Sequence, residues 1–330
     1  MSLKLGLIGC SNVAKKNLFS YLSNNHNYQL WSIGSRSSDT ASEWATNYGA
    51  NIFGGYDDVL DSGIDVVYIS LPIGLHEEWS IKAAEKGINI ICEKSLTTSY
   101  ESAKKIISAC KKNNVKIMEA FSFRFHPQHI KFKELAKEKS NKTVNFYGNF
   151  GMPSFPKNDI RWNKSLGGGV LNDVVCYPIC ASRIFFESEP RSIFSKMIID
   201  EESQVDIKVD IMAEFFDGAV AYLSGGFDLY YQSRYHIWTD QMKLELHRAY
   251  AVPSNYKAKL VLDINDKLSE FLIDEINQFG LMFNNFYEVL KEGKKEFFNY
   301  EIDILNQAKF MEAVRISHNE DRAVLLSEIN

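Results

Sequence analysis

Cysteines are scarce in this chain, and their spacing is irregular. Only five occur in 330 residues, at positions 10, 92, 110, 176 and 180, and no two of them form a CxxC pair. An odd number of cysteines without such a pair predicts neither a disulfide framework nor a zinc site. We therefore expect a reducing, cytoplasmic environment and no bound metal.

The chain also lacks an excess of positive charge and a long apolar run. Its formal net charge is −5, whereas nucleic-acid-binding proteins usually carry a basic stripe. No stretch approaches the ~20 apolar residues that cross a bilayer. The first residues, MSLKLGLIGCSN, lack the apolar core and cleavage site of a signal peptide and predict a strand that enters a turn. We expect neither a nucleic acid nor a membrane as partner.

What the chain does contain is a regular alternation of apolar runs and helical patterns over roughly its first 120 residues. Thr98 and Glu101 fit a capping box before one helix, and Gly87 fits the position just after another. Nearly continuous apolar strands that alternate with helices predict a doubly wound parallel sheet, an α/β fold. The predicted strands are Leu3–Ile8, Leu30–Ile33, Val66–Ile69, Ile88–Cys92 and Val115–Met118.

A different pattern begins after residue 150. Polar and apolar residues alternate over 205–211, 242–246 and 260–264, as in strands with one wet face. Asp217 and Gly218 lie between two apolar arms, a strong hairpin signal, and an amphipathic helix is predicted over 276–290. We predict one domain over residues 1–122 and a second, α+β domain over 123–330 with an open, mostly antiparallel sheet.

The turn after the first strand, GCSNVA, has features of a dinucleotide-binding motif. Gly9, Ser11 and Ala14 stand where that motif needs a tight turn, a close backbone approach to a pyrophosphate and a small packing residue. Serine replaces the middle glycine, and its hydroxyl could bond a phosphate oxygen. Asn12 and Val13 complete the predicted site. The alternative is an ordinary strand–helix turn.

The end of the second strand, WSIGSRSSD, bears on which dinucleotide is bound. NAD enzymes often carry Asp or Glu there to hold the ribose 2′-hydroxyl, but this chain has Ser35 and Arg36. A guanidinium and hydroxyls suit a 2′-phosphate. The residues therefore favour NADP(H), with NAD(H) as the alternative, because Arg36 could instead stack on the adenine.

Two further strand ends place polar groups where a nicotinamide would lie. They are in LPIGLH, which contains Leu71, Pro72 and His76, and in EKSL, which contains Glu93 and Lys94. His76 could equally be a helix-start residue without a catalytic part. Lys94, considered without further context, could be a solvated loop lysine.

Taken together, these segments resemble the glucose–fructose oxidoreductase / inositol dehydrogenase / MocA family. The resemblance rests on GCSNVA, LPIGLH, EKSL, MEAFSFRFHPQ and GGGVLNDVVCYPI, in that order, over roughly residues 3–190. The EAFSFRFHP segment is most similar to the branch of dimeric dihydrodiol dehydrogenase, xylose dehydrogenase and nucleotide-sugar ketoreductases. The resemblance implies a dinucleotide-binding Rossmann domain at 1–122 and a substrate-binding and dimerisation domain at 123–330.

The resemblance also implies the catalytic residues. It places Lys94 beside the nicotinamide, although Ser95 replaces the family's proline, which leaves the geometry of that loop open. Asp173 and Tyr177, four residues apart and so on one face of a helix, match the family's acid/base pair. In the alternative, Tyr177 is a buried tyrosine bonded to Asp173. Pro178 cannot donate to the Val174 carbonyl, so we predict a kink or break beside Tyr177.

The resulting hypothesis is an NAD(P)-dependent oxidoreductase that moves a hydride between nicotinamide and a sugar or sugar-nucleotide carbon. By resemblance, Arg124, Arg161 and Trp162 lie near the substrate, although either arginine could form an interdomain ion pair. A homodimer or homotetramer is implied. The alternatives are a dehydrogenase of free aldoses or dihydrodiols and, from another class, a non-catalytic dinucleotide-sensing regulator on the same fold.

Overall fold

The computed structural model describes residues 2–139 and 143–330, and these form two compact units. The first unit runs to Phe121 and also includes Phe279–Leu305, while the second comprises Ser122–Gln278 and Asn306–Asn330. The sequence patterns had placed residues 279–305 in the second domain. They join the first unit because Phe283 packs its ring against those of Tyr28 and Tyr68, each at 5.5 Å.

The first unit contains a six-stranded parallel sheet in the order β3-β2-β1-β4-β5-β6. Its strands are β1 (Leu3–Ile8), β2 (Tyr28–Gly34), β3 (Ile52–Gly54), β4 (Val66–Ile69), β5 (Asn89–Cys92) and β6 (Ile117–Glu119). All four residues of β4 are fully buried, as expected of a strand covered on both faces. β2 and β3 lie on one side of β1, whereas β4, β5 and β6 lie on the other, so the strand order reverses between β1 and β4. Ligands of such sheets bind at this switch point. The predicted doubly wound parallel sheet is confirmed.

Six helices of the described chain belong wholly or mainly to this unit. A π-helical segment, Ala14–Leu18, leads into α1; the helices are α1 (Phe19–Leu22), α2 (Ser38–Tyr48), α3 (Tyr56–Leu60), α4 (His76–Glu85), α5 (Tyr100–Lys112) and, much later in the chain, α8 (Gln278–Lys291). Gly87 follows α4 with φ +72°, as predicted for a helix terminator. The predicted capping box at Thr98 is wrong by one residue, because the Ser99 hydroxyl accepts the Ser102 N–H at 3.2 Å.

The second unit is built on a nine-stranded sheet in the order β14-β13-β12-β11-β7-β10-β9-β8-β15. All neighbouring strands are antiparallel except β7 and β10. The strands are β7 (Thr143–Gly151), β8 (Ser192–Ile199), β9 (Asp206–Glu214), β10 (Val220–Gly226), β11 (Gln232–Thr239), β12 (Lys243–Leu246), β13 (Ala258–Ile264), β14 (Lys267–Ile273) and β15 (Val324–Leu325). The predicted hairpin joins β9 to β10, and Asp217 and Gly218 have φ of +61° and +74°. The open, mostly antiparallel sheet is confirmed.

Helices cover one face of this sheet. They are α6 (Pro127–Lys139), α7 (Cys176–Phe186) and α9 (Tyr300–Glu320), of which α9 crosses the boundary between the two units. Within the described chain one segment, Lys164–Phe186, is long and apolar enough to cross a membrane, but 72% of its apolar window is buried inside the structure. Because α7 forms part of this segment, its apolar character is accounted for by packing in the core of the second unit.

Candidate active site

Gly9 brings the end of β1 against the end of β4. Its φ is +97°, and a Cβ at this position would lie 2.4 Å from the Ser70 carbonyl oxygen. Only glycine combines that backbone conformation with so close an approach. Ala14, the predicted small packing residue, is fully buried.

Ser11 stabilises the turn through its side chain. Its hydroxyl lies 2.5 Å from the Ser70 hydroxyl and accepts the Ala14 N–H at 3.0 Å. Asn12 and Val13 are exposed, and within the described chain their N–H groups donate to no backbone or side-chain acceptor. Two outward-facing N–H groups at the start of a helix fit a phosphate group. The N–H groups of Asn12 and Val13 are therefore available to an anion, whereas the Ser11 side chain stabilises the turn.

The ends of β1 and β2 are linked beside this turn. The Cys10 thiol forms a hydrogen bond with the Ser35 side chain. Burial raises the pKa of Cys10 to about 11, so this cysteine stays a neutral thiol. Arg36 is exposed, and among the described residues no carboxylate forms an ion pair with its guanidinium. An exposed arginine without a counter-ion at this strand end fits a 2′-phosphate.

His76 ties together the two loops that follow β4 and β5. Its Nδ1 lies 3.0 Å from the Ser95 carbonyl oxygen, and its Nε2 lies 2.9 Å from that of Leu71. The side chain is fully buried, and this burial is the main cause that lowers its pKa. His76 begins α4, as its alternative interpretation held, and it also positions the loop that carries Lys94. The Lys94–Ser95 peptide bond is cis.

Two carboxylates hold this second loop. The Tyr68 hydroxyl donates to Glu93 at 2.5 Å, and Glu119 accepts the Leu96 N–H at 2.7 Å. Lys94 is partly exposed just beyond the end of β5. Sequence reasoning missed Tyr68 and Glu119. An acidic residue directly after the predicted strand Val115–Met118 is a signal that could have identified Glu119.

In the second unit, Asp173 and Tyr177 lie on one continuous helix. The backbone is helical from Val170, with a wide π turn over Leu171–Val175 that passes into α7. Pro178 comes directly after this π turn, in a helix that is already under way, and its ring cannot donate a backbone N–H. The predicted irregularity beside Tyr177 therefore exists as a π turn, and the helix does not break there, while a kink at this point stays a prediction.

Arg161 is bonded to the proposed catalytic carboxylate. Its Nε donates to Asp173 Oδ2 at 2.6 Å, and its terminal nitrogen donates to Asp159 at 3.0 Å. Asp173 and Tyr177 are both partly exposed. The Arg161 guanidinium is thus a positioning group for Asp173, within the same unit.

Aromatic side chains surround Tyr177. Phe123, Phe150 and Tyr250 lie with ring centroids 5.7, 5.3 and 5.7 Å from its ring. Trp162, predicted to lie near the substrate, is 8% exposed, its Nε1 donates to the Phe155 carbonyl at 3.3 Å, and Lys157 lies over its ring at 4.2 Å. This environment favours a packing role for Trp162. Arg124 is partly exposed in a 3₁₀ turn, Ser122–Phe125.

A polar network that the sequence did not reveal holds the start of the helix that carries Asp173 and Tyr177. Asp206 accepts the Leu171 N–H at 2.5 Å, and a Cβ on Gly169 would lie 2.3 Å from its carboxylate. Arg315 donates to Asn172 at 2.7 Å, and Asn172 donates to the Gly167 carbonyl at 3.1 Å. The helix that carries Asp173 and Tyr177 is therefore anchored by residues distant in sequence.

A glycine turn at the first strand of a parallel sheet, with open N–H groups at the following helix, defines a dinucleotide-binding protein of the Rossmann class. The model of an oxidoreductase family with an NAD-binding Rossmann fold matches residues 3–121, and that of the GFO/IDH/MocA C-terminal domain matches residues 135–245. The chain belongs to the Gfo/Idh/MocA oxidoreductase family.

Relatives match along most of the chain. A dTDP-3,4-didehydro-2,6-dideoxy-alpha-D-glucose 3-reductase from Actinomadura kijaniata is 26% identical over 315 residues, 95% of each protein. A D-xylose 1-dehydrogenase (NADP(+)) from Haloferax volcanii is 28% identical over 293 residues, 88% of this chain and 89% of that protein. A trans-1,2-dihydrobenzene-1,2-diol dehydrogenase from Xenopus tropicalis is 29% identical over 201 residues, 60% of each.

A solved 3-ketoreductase from Actinomadura kijaniata, in complex with NADP and TDP-benzene, has a TM-score of 0.93 and 26% identity over 96% of this chain and 98% of its own. The same enzyme has also been solved with a tyrosine replaced by phenylalanine and with a lysine replaced by alanine. These matches confirm the predicted family, the fold and the class of activity. The protein is an oxidoreductase that uses a nicotinamide dinucleotide.

Proposed function

We propose that the protein is an NADP(H)-dependent oxidoreductase acting on a ketone or hydroxyl carbon of a nucleotide-linked sugar. The observation that carries this proposal is a partly exposed Tyr177, one helical turn from Asp173, in a chain that matches a dTDP-sugar 3-reductase over 95% of both lengths. The tyrosine, the carboxylate and Lys94 supply the groups that carbonyl reduction requires besides the hydride.

The roles of these side chains follow from their chemistry. The dinucleotide, when bound, supplies or accepts the hydride. Tyr177 gives a proton to the carbonyl oxygen in reduction and takes it back in oxidation. A free tyrosine has a pKa of about 10, too high for an efficient base near neutrality. In this proposal the Lys94 ammonium stabilises negative charge on the same oxygen, and Asp173, held by Arg161, orients the reacting groups.

The cofactor preference is the part most easily measured. We expect NADPH to bind more tightly than NADH, because the exposed Arg36 can form charge-assisted bonds to a 2′-phosphate. Titration followed by nicotinamide fluorescence should show this preference, and Arg36→Ala should weaken NADPH binding by about tenfold or more with little change for NADH.

The matched control is Arg191→Ala, since Arg191 is an exposed arginine of the second unit and should leave both affinities unchanged. Equal binding of NADH and NADPH by the wild-type protein would assign Arg36 to adenine stacking and favour the alternative of a catabolic dehydrogenase. Binding of neither would remove the basis of the proposal.

Two alternatives have different support. The similarity to a xylose dehydrogenase and a dihydrodiol dehydrogenase favours oxidation of a free aldose or a diol as the second candidate. A non-catalytic sensor has no such support, since the relatives reported above are named as enzymes. Turnover of a free aldose with NADP⁺, without turnover of any nucleotide-linked sugar, would select the second candidate.

We further infer the organisation that the family resemblance implies. Residues 1–122 bind the dinucleotide, and the second unit, which lies within residues 123–330, binds the substrate and a second subunit in a homodimer or homotetramer. The open face of the second sheet supports this inference, because Tyr147 stacks between Tyr222 and His236 there, at 5.2 and 4.7 Å, and Trp238 is 59% exposed. Light scattering on the purified protein gives the number of subunits. Cytoplasmic localisation stays a prediction.

A further inference from the structure

Arg248 forms a cluster with Tyr231 and Tyr256, which Phe150 connects to Tyr177. This cluster has no part in the proposed proton transfer. Phe150 packs edge-on against Tyr177 at 5.3 Å and against Tyr231 at 6.3 Å. Tyr250 packs against both Tyr177 and Phe150, at 5.7 and 5.3 Å, and is two residues from Arg248. Tyr231 therefore contacts one of the rings that pack against Tyr177, and Arg248 is close in sequence to another.

Arg248 is held in a geometry that suits an anion. Its guanidinium lies over the rings of Tyr231 and Tyr256, 4.9 and 5.5 Å from their centroids, and donates to the Tyr231 hydroxyl at 3.3 Å. In the described part of the chain, no carboxylate lies within the 4.0 Å of an ion pair with this guanidinium. By contrast, Arg161, Arg183 and Arg315 in the same unit each have a carboxylate partner.

The backbone beneath Arg248 is fixed. Its carbonyl accepts the Gln128 side-chain N–H at 3.1 Å, and the next residue, Ala249, donates its N–H to the Ser233 carbonyl at 2.7 Å. A partly exposed arginine on a fixed backbone, with its plane supported by two rings, loses little freedom when it binds a ligand. This pre-organisation favours recognition of phosphate oxygens, which match the fork of N–H donors.

Tyr230, the chain neighbour of Tyr231, presents an exposed aromatic ring. It is 92% exposed, yet its loop is anchored, because Leu229 donates its N–H to the Met152 carbonyl at 3.0 Å. A Cβ on Gly151 would lie 2.7 Å from the Tyr230 carbonyl oxygen, so the loop packs closely over this glycine. An exposed ring on an anchored loop is the kind of surface on which a nucleobase stacks.

We propose that Arg248, Tyr231 and Tyr230 form a subsite for the nucleoside diphosphate part of the substrate. Arg248 binds a diphosphate oxygen with Tyr231 holding its guanidinium, and Tyr230 stacks on the base, while the sugar reaches Tyr177 past Phe150. This inference rests on the proposed function and assigns the residues that distinguish a nucleotide-linked sugar from a free one.

The test measures binding of dTDP itself, so that it does not depend on turnover. The protein is saturated with NADPH, and dTDP is titrated by calorimetry into the wild type and into Arg248→Met and Tyr230→Ser. We expect Arg248→Met to raise the Kd for dTDP by about ten- to a hundredfold and Tyr230→Ser to raise it several-fold. Arg191→Met, the matched control, should leave it unchanged.

Poor folding of one variant would not make the result ambiguous, because Tyr230→Ser serves as a second test. Tyr230 is almost fully exposed, so its replacement should not alter the melting temperature. Arg248→Lys keeps the charge without the planar fork and should show an intermediate Kd. Wild-type affinity for dTDP in both Arg248→Met and Tyr230→Ser would overturn the subsite. If the wild type does not bind dTDP but oxidises a free aldose, the proposed function has failed and the subsite fails with it.

Discussion

At the scale of single residues, Gly9 is where two independent constraints coincide. Its φ of +97° is unfavourable for a residue with a Cβ, and that Cβ would collide with the Ser70 carbonyl. Gly49, the C-cap of α2, provides a comparison, because it has φ +74° but a Cβ added there would meet nothing within 4 Å beyond its chain neighbours. The two glycines therefore separate backbone strain from steric contact.

We predict that Gly9→Ala abolishes dinucleotide binding, whereas Gly49→Ala only lowers stability. Strain at positive φ costs roughly 1–2 kcal/mol, and this cost applies to both variants. Only Gly9→Ala pushes the end of β1 away from β4 and displaces the N–H groups of Asn12 and Val13. Thermal unfolding and NADPH titration of both variants check this; equal destabilisation with wild-type NADPH affinity in both would contradict it.

Single residues also mark the limit of sequence-based prediction. The turn at Gly9 and the need for small side chains at Ser11 and Ala14 could be predicted, because they depend on neighbours along the chain. The hydrogen bond between the Ser11 and Ser70 hydroxyls could not be predicted, since these two residues are 59 positions apart in the sequence. The same holds for Arg161, whose pairing with Asp173 no local pattern reveals.

At the scale of elements, two buried histidines lie at the start of α6, and one of them, His129, joins this helix to the second sheet. His129 lies 2.7 Å from the Tyr235 hydroxyl on β11, through its Nδ1, and the Nδ1 of His126 accepts the Gln128 N–H at 3.2 Å. Burial lowers the pKa of His126 to about 4. The pKa of His129 is lowered to about 3, mainly by burial and to a smaller extent by the positive charges of His126 and Arg124.

These shifts predict a loss of stability in acid. Both histidines are neutral in the folded protein, so their contribution is complete above the ordinary pKa of about 6.5 and is lost as pH falls through 6.5 towards 4 and 3. The free energy of unfolding should therefore decrease from pH 7 to pH 4.5, with uptake of about two protons by these side chains. Denaturant unfolding across this range measures the slope.

His129→Gln should lower the number of protons taken up on unfolding by about one, and so reduce the slope of the free energy of unfolding against pH. Glutamine can keep a hydrogen bond to Tyr235 but does not titrate. His26→Gln is the control, since His26 is exposed and should leave the slope unchanged. A wild-type slope in His129→Gln would show that this histidine is already protonated in the folded state and would refute the interpretation.

Elements were predictable where a pattern repeats over several residues. The parallel strands, the hairpin at Asp217 and Gly218 and the end of α4 at Gly87 all follow from local periodicity and turn chemistry. The parallel pairing of β7 with β10 and the π turn before α7 were not predictable, because both depend on which segments meet across the fold.

At the scale of the whole molecule, two features of the chain carry the functional account. The first unit presents the ends of β1, β2, β4 and β5 with the residues that fit a dinucleotide. The second presents Tyr177 and Asp173 on an anchored helix. The order of the motifs along the sequence was enough to predict which residues these are, but not the contacts of Asp206 and Arg315 that anchor the helix. The return of residues 279–305 to the first unit was not predictable, because Phe283 meets Tyr28 and Tyr68, which lie more than 200 residues away.

The most direct test of the central claim is transfer of deuterium from C4-deuterated NADPH to a dTDP-linked keto sugar, followed by mass spectrometry of the sugar. We predict one deuterium in the product with the wild-type protein. Tyr177→Phe removes the acid/base group, and Lys94→Ala removes the charge that stabilises the substrate oxygen. Each should lower the rate by a factor on the order of 10²–10⁴, with NADPH affinity nearly unchanged. Near-normal rates in both variants, or bound NADPH without deuterium transfer to any carbonyl substrate, would contradict the account.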